Sequence, residues 1–276
     1  MCARPRAKRS VEVPRVIIKT KAIVLRSRRM GETSKLMTFY TEEYGKLKSV
    51  ARGARKPKSK YGAALELLSE VQIICYWRDN RDLQTLTECD ILRTFPNLTA
   101  DLQRLAFASA GCELIERLTI DGEPNPRLYQ CLMGLLRGLD EVDLDQAESL
   151  FWYFQLRLAT ALGYHPQLAS CVSCSQSLQG ERLGFSAALG GALCASCGRR
   201  EGQYANARSL HFLTQLQNLP TYTKEAIPPA PSRPGEIRAM LRTFLEYHGG
   251  ASGQLKSLDF LEAIEKIPRV DIVRAT

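Results

Sequence analysis

The sequence predicts an α+β protein: an N-terminal five-stranded OB-fold β-barrel, then a helical domain with an inserted four-cysteine zinc module. Three observations predict it. Short segments rich in β-branched and aliphatic residues, separated by turn residues, fill positions 16–95. After Pro96 the apolar period changes from two to 3.6. Two Cys-x-x-Cys knuckles then interrupt the helical rhythm within 166–206. A chain of 276 residues exceeds what one core usually serves, and 45% hydrophobic with 24% charged residues is a folded protein's composition.

Residues 1–15, with Arg4, Arg6, Lys8 and Arg9, read as a disordered basic arm without the apolar core of an export signal. Residues 20–26, 36–41 and 46–52 read as strands, with Gly31 and Tyr44-Gly45 where turns are needed. A fourth strand over 71–77 puts Val71, Ile73, Cys75 and Trp77 on its core face, and Gln72, Ile74 and Tyr76 on the other. A helical insert is expected near 63–68, a turn at Arg78-Asp79-Asn80, and a fifth strand over 83–92. Five strands suit the OB-fold; an SH3-like barrel fits the count nearly as well. This unit takes residues 16–95.

The helical domain opens over 96–165. Leu98, Leu102, Leu105, Cys112 and Ile115 mark one stripe, and Leu128, Leu132, Leu135 and Leu139 a second. Asn125-Pro126 opens the second helix, because proline at the first position gives up an amide that had no partner. Asp145 with Glu148 resembles a capping box for a third helix through Phe151, Phe154, Leu158 and Leu162, closed by Gly163. After the insert, residues 207–276 resume helices around 210–219 and 237–248, across a proline-rich linker at 227–234.

The insert holds Cys171-Val-Ser-Cys174 and Cys194-Ala-Ser-Cys197, joined through a hairpin over 183–193 that bends at Gly190-Gly191. A two-residue gap lets two thiolates of one tight turn reach one ion, and two such knuckles give the tetrahedral sulfur set zinc prefers. Cys171, Cys174, Cys194 and Cys197 are therefore expected to bind a structural Zn2+. Four thiolates leave no open position for catalysis. Cys2, Cys75, Cys89, Cys112 and Cys131 lack paired spacing, and the last four read as buried free thiols.

The formal net charge is +9, and residues 1–95 hold 21 of the 38 basic side chains against 10 of the 29 acidic ones. Positions 15–60 alone carry 14 basic and 3 acidic residues. A block so one-sided repels itself unless an anionic partner relieves it, and nucleic acid is the partner expected. Arg26, Arg28, Arg29 and Lys35 flank the first turn, and Lys46 and Lys48 enter the third strand. Arg52, Arg55, Lys56, Lys58 and Lys60 are strung along a loop with Gly53 and Pro57. Together these eleven are the expected DNA contacts, with Tyr40, Tyr44, Tyr61 and Trp77 offered as stacking platforms, of which at least half are barrel core and Trp77 foremost.

Neither G-x-x-x-x-G-K-[ST] nor G-x-G-x-x-G occurs, and the H-x-E partner of a zinc deaminase is missing. Three histidines, His165, His211 and His248, give no catalytic constellation. No catalytic residue is assigned, and the reading is a binding protein. With no apolar stretch near the ~18 residues of a membrane helix and no export signal, the expected location is the cytoplasm, and a nucleic-acid partner makes the expectation nucleoid-associated.

The chain resembles the bacterial recombination mediator family RecO. The resemblance is carried by Thr20-Lys-Ala-Ile-Val-Leu25, Gly31-Glu-Thr-Ser-Lys35, Tyr44-Gly45-Lys46, Ala51-Arg-Gly-Ala-Arg-Lys56 and Leu83-Gln-Thr-Leu86. Later come Leu162-Gly163-Tyr164, Phe244-Leu-Glu-Tyr-His248 and Leu255-Lys-Ser-Leu258, in family order from about 18 to 262. The resemblance implies an OB-fold, a helical domain and a zinc module. It implies binding to single- and double-stranded DNA, annealing of complementary strands, and work with RecR to displace single-strand-binding protein so that RecA loads. It implies no nucleotide hydrolysis. Two rivals stand beside it: an RNA-binding barrel with a zinc ribbon, tied to the ribosome or transcription, and a zinc hydrolase, against which a closed thiolate site argues.

Overall fold

The structure, a computed structural model, describes residues 16–78, 81–201, 204–250, 253 and 255–265. The expected basic arm with Cys2, and Asp79-Asn80 of the expected turn, lie outside the described residues. Five strands, β1 (Val16–Met30), β2 (Ser34–Thr41), β3 (Gly45–Ala51), β4 (Glu70–Trp77) and β5 (Leu83–Arg93), form a sheet in the order β1-β2-β3-β5-β4 that curls round onto itself. β1 is much longer than residues 20–26 because it serves two neighbours. Its first half pairs with β4 and its second half with β2, and a bulge between Val24 and Arg26 re-aims it from one to the other.

Inside the ring, alternate residues of the strands make a small core of Val24, Met37, Phe39, Leu47, Val71, Ile73 and Leu86. Tyr61, Ala64 and Leu65 from a 3-10 turn, Gly62–Leu65, complete it. The helical insert expected at 63–68 is only this turn, since Glu66 already adopts extended backbone.

Six helices pack beside the ring: α1 (Pro96–Ala100), α2 (Leu102–Leu118), α3 (Pro126–Glu141) and α4 (Leu144–Ala161), then, past the short α5 (Ala195–Arg200), α6 (Ala207–Asn218) and α7 (Gly235–Gly249). A further helix, α8 (Lys256–Glu265), lies against α2. α3 starts as its sequence requires: the Asn125 side chain accepts from the Leu128 amide at 3.2 Å, with Pro126 in the first turn. The third stripe helix, α4, is capped two residues earlier than expected, at Asp143. The Asp143 amide donates to Gln146 Oε1 at 3.1 Å, completing a capping box there. Glu148, expected in that box, is buried instead and takes a two-pronged contact from Arg238 of α7, one arm at 2.9 Å. Phe107, Phe151 and Phe154 stack through the centre of the bundle at 5.3 and 6.2 Å.

The insert folds as a hairpin of β6 (Arg182–Ser186) and β7 (Gly191–Leu193), with the two-residue β8 (Ala205–Asn206) on the other edge of β6. Gly191 has to be glycine, because a Cβ there would lie 2.1 Å from the Gln167 carbonyl oxygen. That approach lets the Ala192 amide donate to Gln167 at 2.8 Å and lays the hairpin along the segment that precedes the knuckles.

The fold class expected from the sequence is corrected in its barrel. The five-stranded unit is not a uniformly sealed OB-fold barrel. β3 and β5 meet, in parallel, through three residue pairs, where the other seams have seven or eight. The ring and the four cysteines keep small clusters of their own, yet the first unit and the insert also reach into the core of the helices. Ile23, Leu25, Tyr40 and Leu68 of the first unit, and Leu183, Phe185, Ala187, Ala192 and Ala205 of the insert, all join the one large cluster of the helices. The physical reason is area: a short twisted sheet has an outer face that must also be covered, and the helices cover it.

Candidate nucleic-acid interface and metal centre

The eleven expected DNA contacts divide into two groups. Three hold the ring to the end of α2. Arg26 donates to Glu116 Oε1 at 2.9 Å. Lys46 is buried, and its ammonium donates to the carbonyls of Glu116 (2.7 Å) and Thr119 (2.5 Å) while pairing with Asp121 at 3.1 Å. A cation there meets the negative end of the α2 dipole and carbonyls left open by the last turn. Lys48 completes the clamp at 2.6 Å from the other Asp121 oxygen. Partial burial would raise the Asp121 carboxyl, but the hydrogen bonds and charges of Lys48 and Lys46 outweigh it and hold the group below the ordinary range.

The clamp depends on Gly45. With φ +63 it turns the chain between β2 and β3, and a Cβ on it would meet the Glu123 carbonyl oxygen at 2.0 Å. The close approach lets the Gly122 amide donate to the Lys46 carbonyl at 2.9 Å.

The second group gathers at the other end of β1 and β2. Arg28 and Arg29 are exposed, and Arg29 stands directly opposite Lys35 across the β1–β2 ladder. Like charges in register destabilise a sheet, and no acid among the described residues pairs with either. Lys35 in turn faces Ala51, the residue before Arg52. Arg55 is the tether: its guanidinium donates to the Gly31 (3.1 Å) and Glu32 (2.8 Å) carbonyls and its amide to Thr33 (2.9 Å). It fastens the loop of Arg52, Lys56, Lys58 and Lys60 against the β1–β2 turn. Lys60 lies over the Tyr61 ring at 5.3 Å. Arg28, Arg29, Lys35, Arg52, Lys56 and Lys58 thus share one end of the ring without an acidic partner among the described residues.

Of the aromatic platforms expected, Tyr40 and Tyr61 are buried. Tyr44 and Trp77 face each other at 5.5 Å and lie partly buried against the ring core, so Trp77 borders that core instead of filling it. Tyr76, assigned to the non-core face, is exposed. It lines a cleft of about 210 Å³ with Arg52, Arg78, Arg81, Leu83, Gln84 and Thr85. Arg78 and Arg81 are absent from the eleven. The signal available was one arginine opening the expected β4–β5 turn, two residues after an outward tyrosine, and a second immediately following that turn.

The insert brings its four cysteines together. The Sγ atoms of Cys171, Cys174, Cys194 and Cys197 all lie within 4.8 Å of one another. Cys174 and Cys194 are 3.7 Å apart, far beyond a disulfide of ~2.05 Å. Tetrahedral zinc with Zn–S of ~2.3 Å puts its sulfurs ~3.8 Å apart, so the set fits that ion. Burial opposes ionisation of Cys171, but the amides of Cys194, Cys174 and Ser173 bring its thiol down to about 6, while Cys174, hydrogen-bonded to it, is raised in turn. Cys75, Cys89 and Cys112 behave oppositely, pushed up to about 12 by burial, which keeps them inert thiols.

Among the described residues no helix is long and apolar enough to cross a membrane. The family description "Recombination protein O N terminal" matches residues 16–95, and "Recombination protein O C terminal" matches 99–259. Relatives called "DNA repair protein RecO" include that of Pelotomaculum thermopropionicum, 36% identical over 254 residues, covering 91% of this chain and 96% of the relative. That of Halalkalibacterium halodurans is 31% identical, covering 90% and 96%, and that of Salinibacter ruber 32%, covering 84% and 88%. Its members act in DNA repair as mediators that catalyse no reaction, and with both halves matched and relatives aligned nearly end to end, this chain belongs to the RecO family.

Proposed function

We propose that this protein mediates recombinational repair by holding DNA backbone on the cationic end of its five-stranded ring. It binds single- and double-stranded DNA, anneals complementary strands, and acts with RecR on DNA coated by single-strand-binding protein so that RecA loads. The observation that carries the reading is the Arg29–Lys35 pair, a repulsion kept in register beside Arg28, Arg52, Lys56 and Lys58, with no acid ion-paired to either among the described residues. Phosphates would relieve it, giving affinity by counterion release without sequence preference. The four cysteines would hold a zinc ion whose role is to fix the two knuckles; with four thiolates it offers no open position for chemistry. DNA as partner places the protein in the cytoplasm, on the nucleoid.

The testing variant reverses Arg52, Lys56 and Lys58 to Glu and leaves Arg55, the loop's tether, in place. Single-strand affinity should collapse, and the wild-type log Kd should rise by ~0.7 per phosphate neutralised for each tenfold rise in salt. ATP-free annealing should fall with it. Unchanged affinity would remove the interface from this end of the ring. A preference for RNA over DNA of the same sequence would favour an RNA-binding module.

A further inference from the structure

We propose that the cleft at the β3–β5 seam is a single-nucleotide subsite for unpaired strands, in which Arg52, Arg78 and Arg81 hold adjacent phosphodiesters and the Tyr76 ring stacks one unpaired base. The inference rests on the nucleic-acid reading above and adds to it a place where single strands differ from duplex.

The cleft is about 210 Å³, below the ~300–1,000 Å³ of a cofactor-sized pocket, and suits one nucleotide unit. Its lining supplies both halves of a nucleotide's chemistry. Three guanidinium groups match phosphate oxygens, and Tyr76, 39% exposed, offers a ring to a base. Among the described residues no acid pairs with any of the three arginines. Asp82, adjacent to Arg81 in sequence, makes no ion pair with Arg81 or Arg78.

The cleft is also built in advance. Gln84 is 4% exposed, and its carboxamide accepts from the Arg78 amide (3.0 Å) and donates to the Arg78 (3.1 Å) and Arg81 (2.7 Å) carbonyls. One buried side chain thereby fixes the backbone of Arg78 and Arg81, so the main chain that carries the two arginines needs little ordering when a strand arrives. Gln84 is a positioning residue. Its place is set by the short parallel seam, where it is the register partner of Ser49. Arg52 connects this cleft to the cationic end of the ring, so a strand lying along the 52–60 loop continues into it. A base inside a duplex has both faces covered and cannot stack on Tyr76, whereas an unpaired base can.

The experiment compares wild type, Arg78→Ala/Arg81→Ala, Tyr76→Leu and the Arg52/Lys56/Lys58 charge reversal by fluorescence anisotropy with single- and double-stranded oligonucleotides over a salt series. The arginine pair should lose ~1.4 from the single-strand salt slope, two contacts at ~0.7 each. Tyr76→Leu should weaken single-strand binding by about 5-fold or more and leave duplex binding unchanged. An oligonucleotide bearing 5-iodouracil should photocrosslink to the β4 peptide containing Tyr76. Inorganic phosphate at matched ionic strength should not displace it; equal displacement would reduce the cleft to a simple anion site and overturn the stacking claim. If the arginine pair and Tyr76→Leu bind as wild type, without the crosslink, while the loop reversal abolishes binding, this inference falls and the DNA reading stands. If the loop reversal also binds normally, the DNA reading itself falls.

Discussion

Lys46→Met separates a clamp from a contact. Methionine keeps the apolar stem and removes only the ammonium, which is buried and donates to the Glu116 and Thr119 carbonyls beside Asp121. A hydrogen bond from a charged donor is worth ~1.5–3 kcal/mol net, and a cation at a helix C-terminus adds ~0.3–1. Asp121 keeps Lys48 and is 40% exposed, so its loss is discounted heavily. The carbonyls of the last α2 turn regain some water, which leaves a net destabilisation of about 2–4 kcal/mol. For a chain of this size that lowers Tm by roughly 5–15 °C. Lys56→Met, on the exposed loop, is the control: Tm unchanged, single-strand affinity reduced. Calorimetry and anisotropy on the same preparations decide it. The reasoning is refuted if Lys46→Met melts with wild type and loses DNA affinity, because the ammonium would then be facing a ligand and not the end of α2.

Other perturbations test the remaining joints. Asp121 is held below its ordinary range, so its tie is complete above about pH 4 and is lost as pH falls further; the Tm gap between wild type and Asp121→Asn should be full at pH 6 and shrink in acid, and a gap that grows in acid would reverse the sign. Cys171→Ser should abolish metal content measured by mass spectrometry and lower the first melting transition while duplex affinity persists; wild-type protein carrying disulfides and no zinc would end the metal assignment. Ser49 holds a buried hydroxyl with no hydrogen-bond partner among the described residues, so Ser49→Ala should leave Tm unchanged or raise it, and a loss above about 1 kcal/mol would reveal a partner. Lys35→Glu should turn the Arg29 repulsion into attraction, raising Tm slightly and weakening DNA binding; a rise in both would separate the repulsion from function.

What was legible in the sequence is what local chemistry decides. Asn125-Pro126 starts a helix wherever it folds, and two Cys-x-x-Cys knuckles around a glycine-bent hairpin converge by their own geometry. Two kinds of information were not local. The length of β1 depends on its having two different partners, which its own residues do not declare. The start of α4 was degenerate: Asp143 with Gln146 and Asp145 with Glu148 both spell a cap, and the choice fell to Arg238, ninety positions away, which draws Glu148 into the core. The cations show the same limit. Lys48 and Lys58 read alike in sequence, yet Lys48 meets Asp121 seventy-three positions later and Lys58 meets no acid among the described residues.

The lopsided charge therefore has two explanations in one unit. At one end of the ring, Arg26, Lys46 and Lys48 answer Glu116, Asp121 and the carbonyls closing α2, so part of the positive excess before residue 96 is matched by acids that come after it. At the other end, Arg29 and Lys35 oppose each other, and Arg55 draws more cations toward them through backbone carbonyls that carry no net charge. A chain selected for stability alone would have neutralised that second end, since one acid opposite Arg29 suffices. Leaving it without an acidic partner among the described residues, while building a buried three-point clamp for Lys46 nearby, distinguishes charge that assembles the fold from charge that, under the proposed function, serves an anionic polymer.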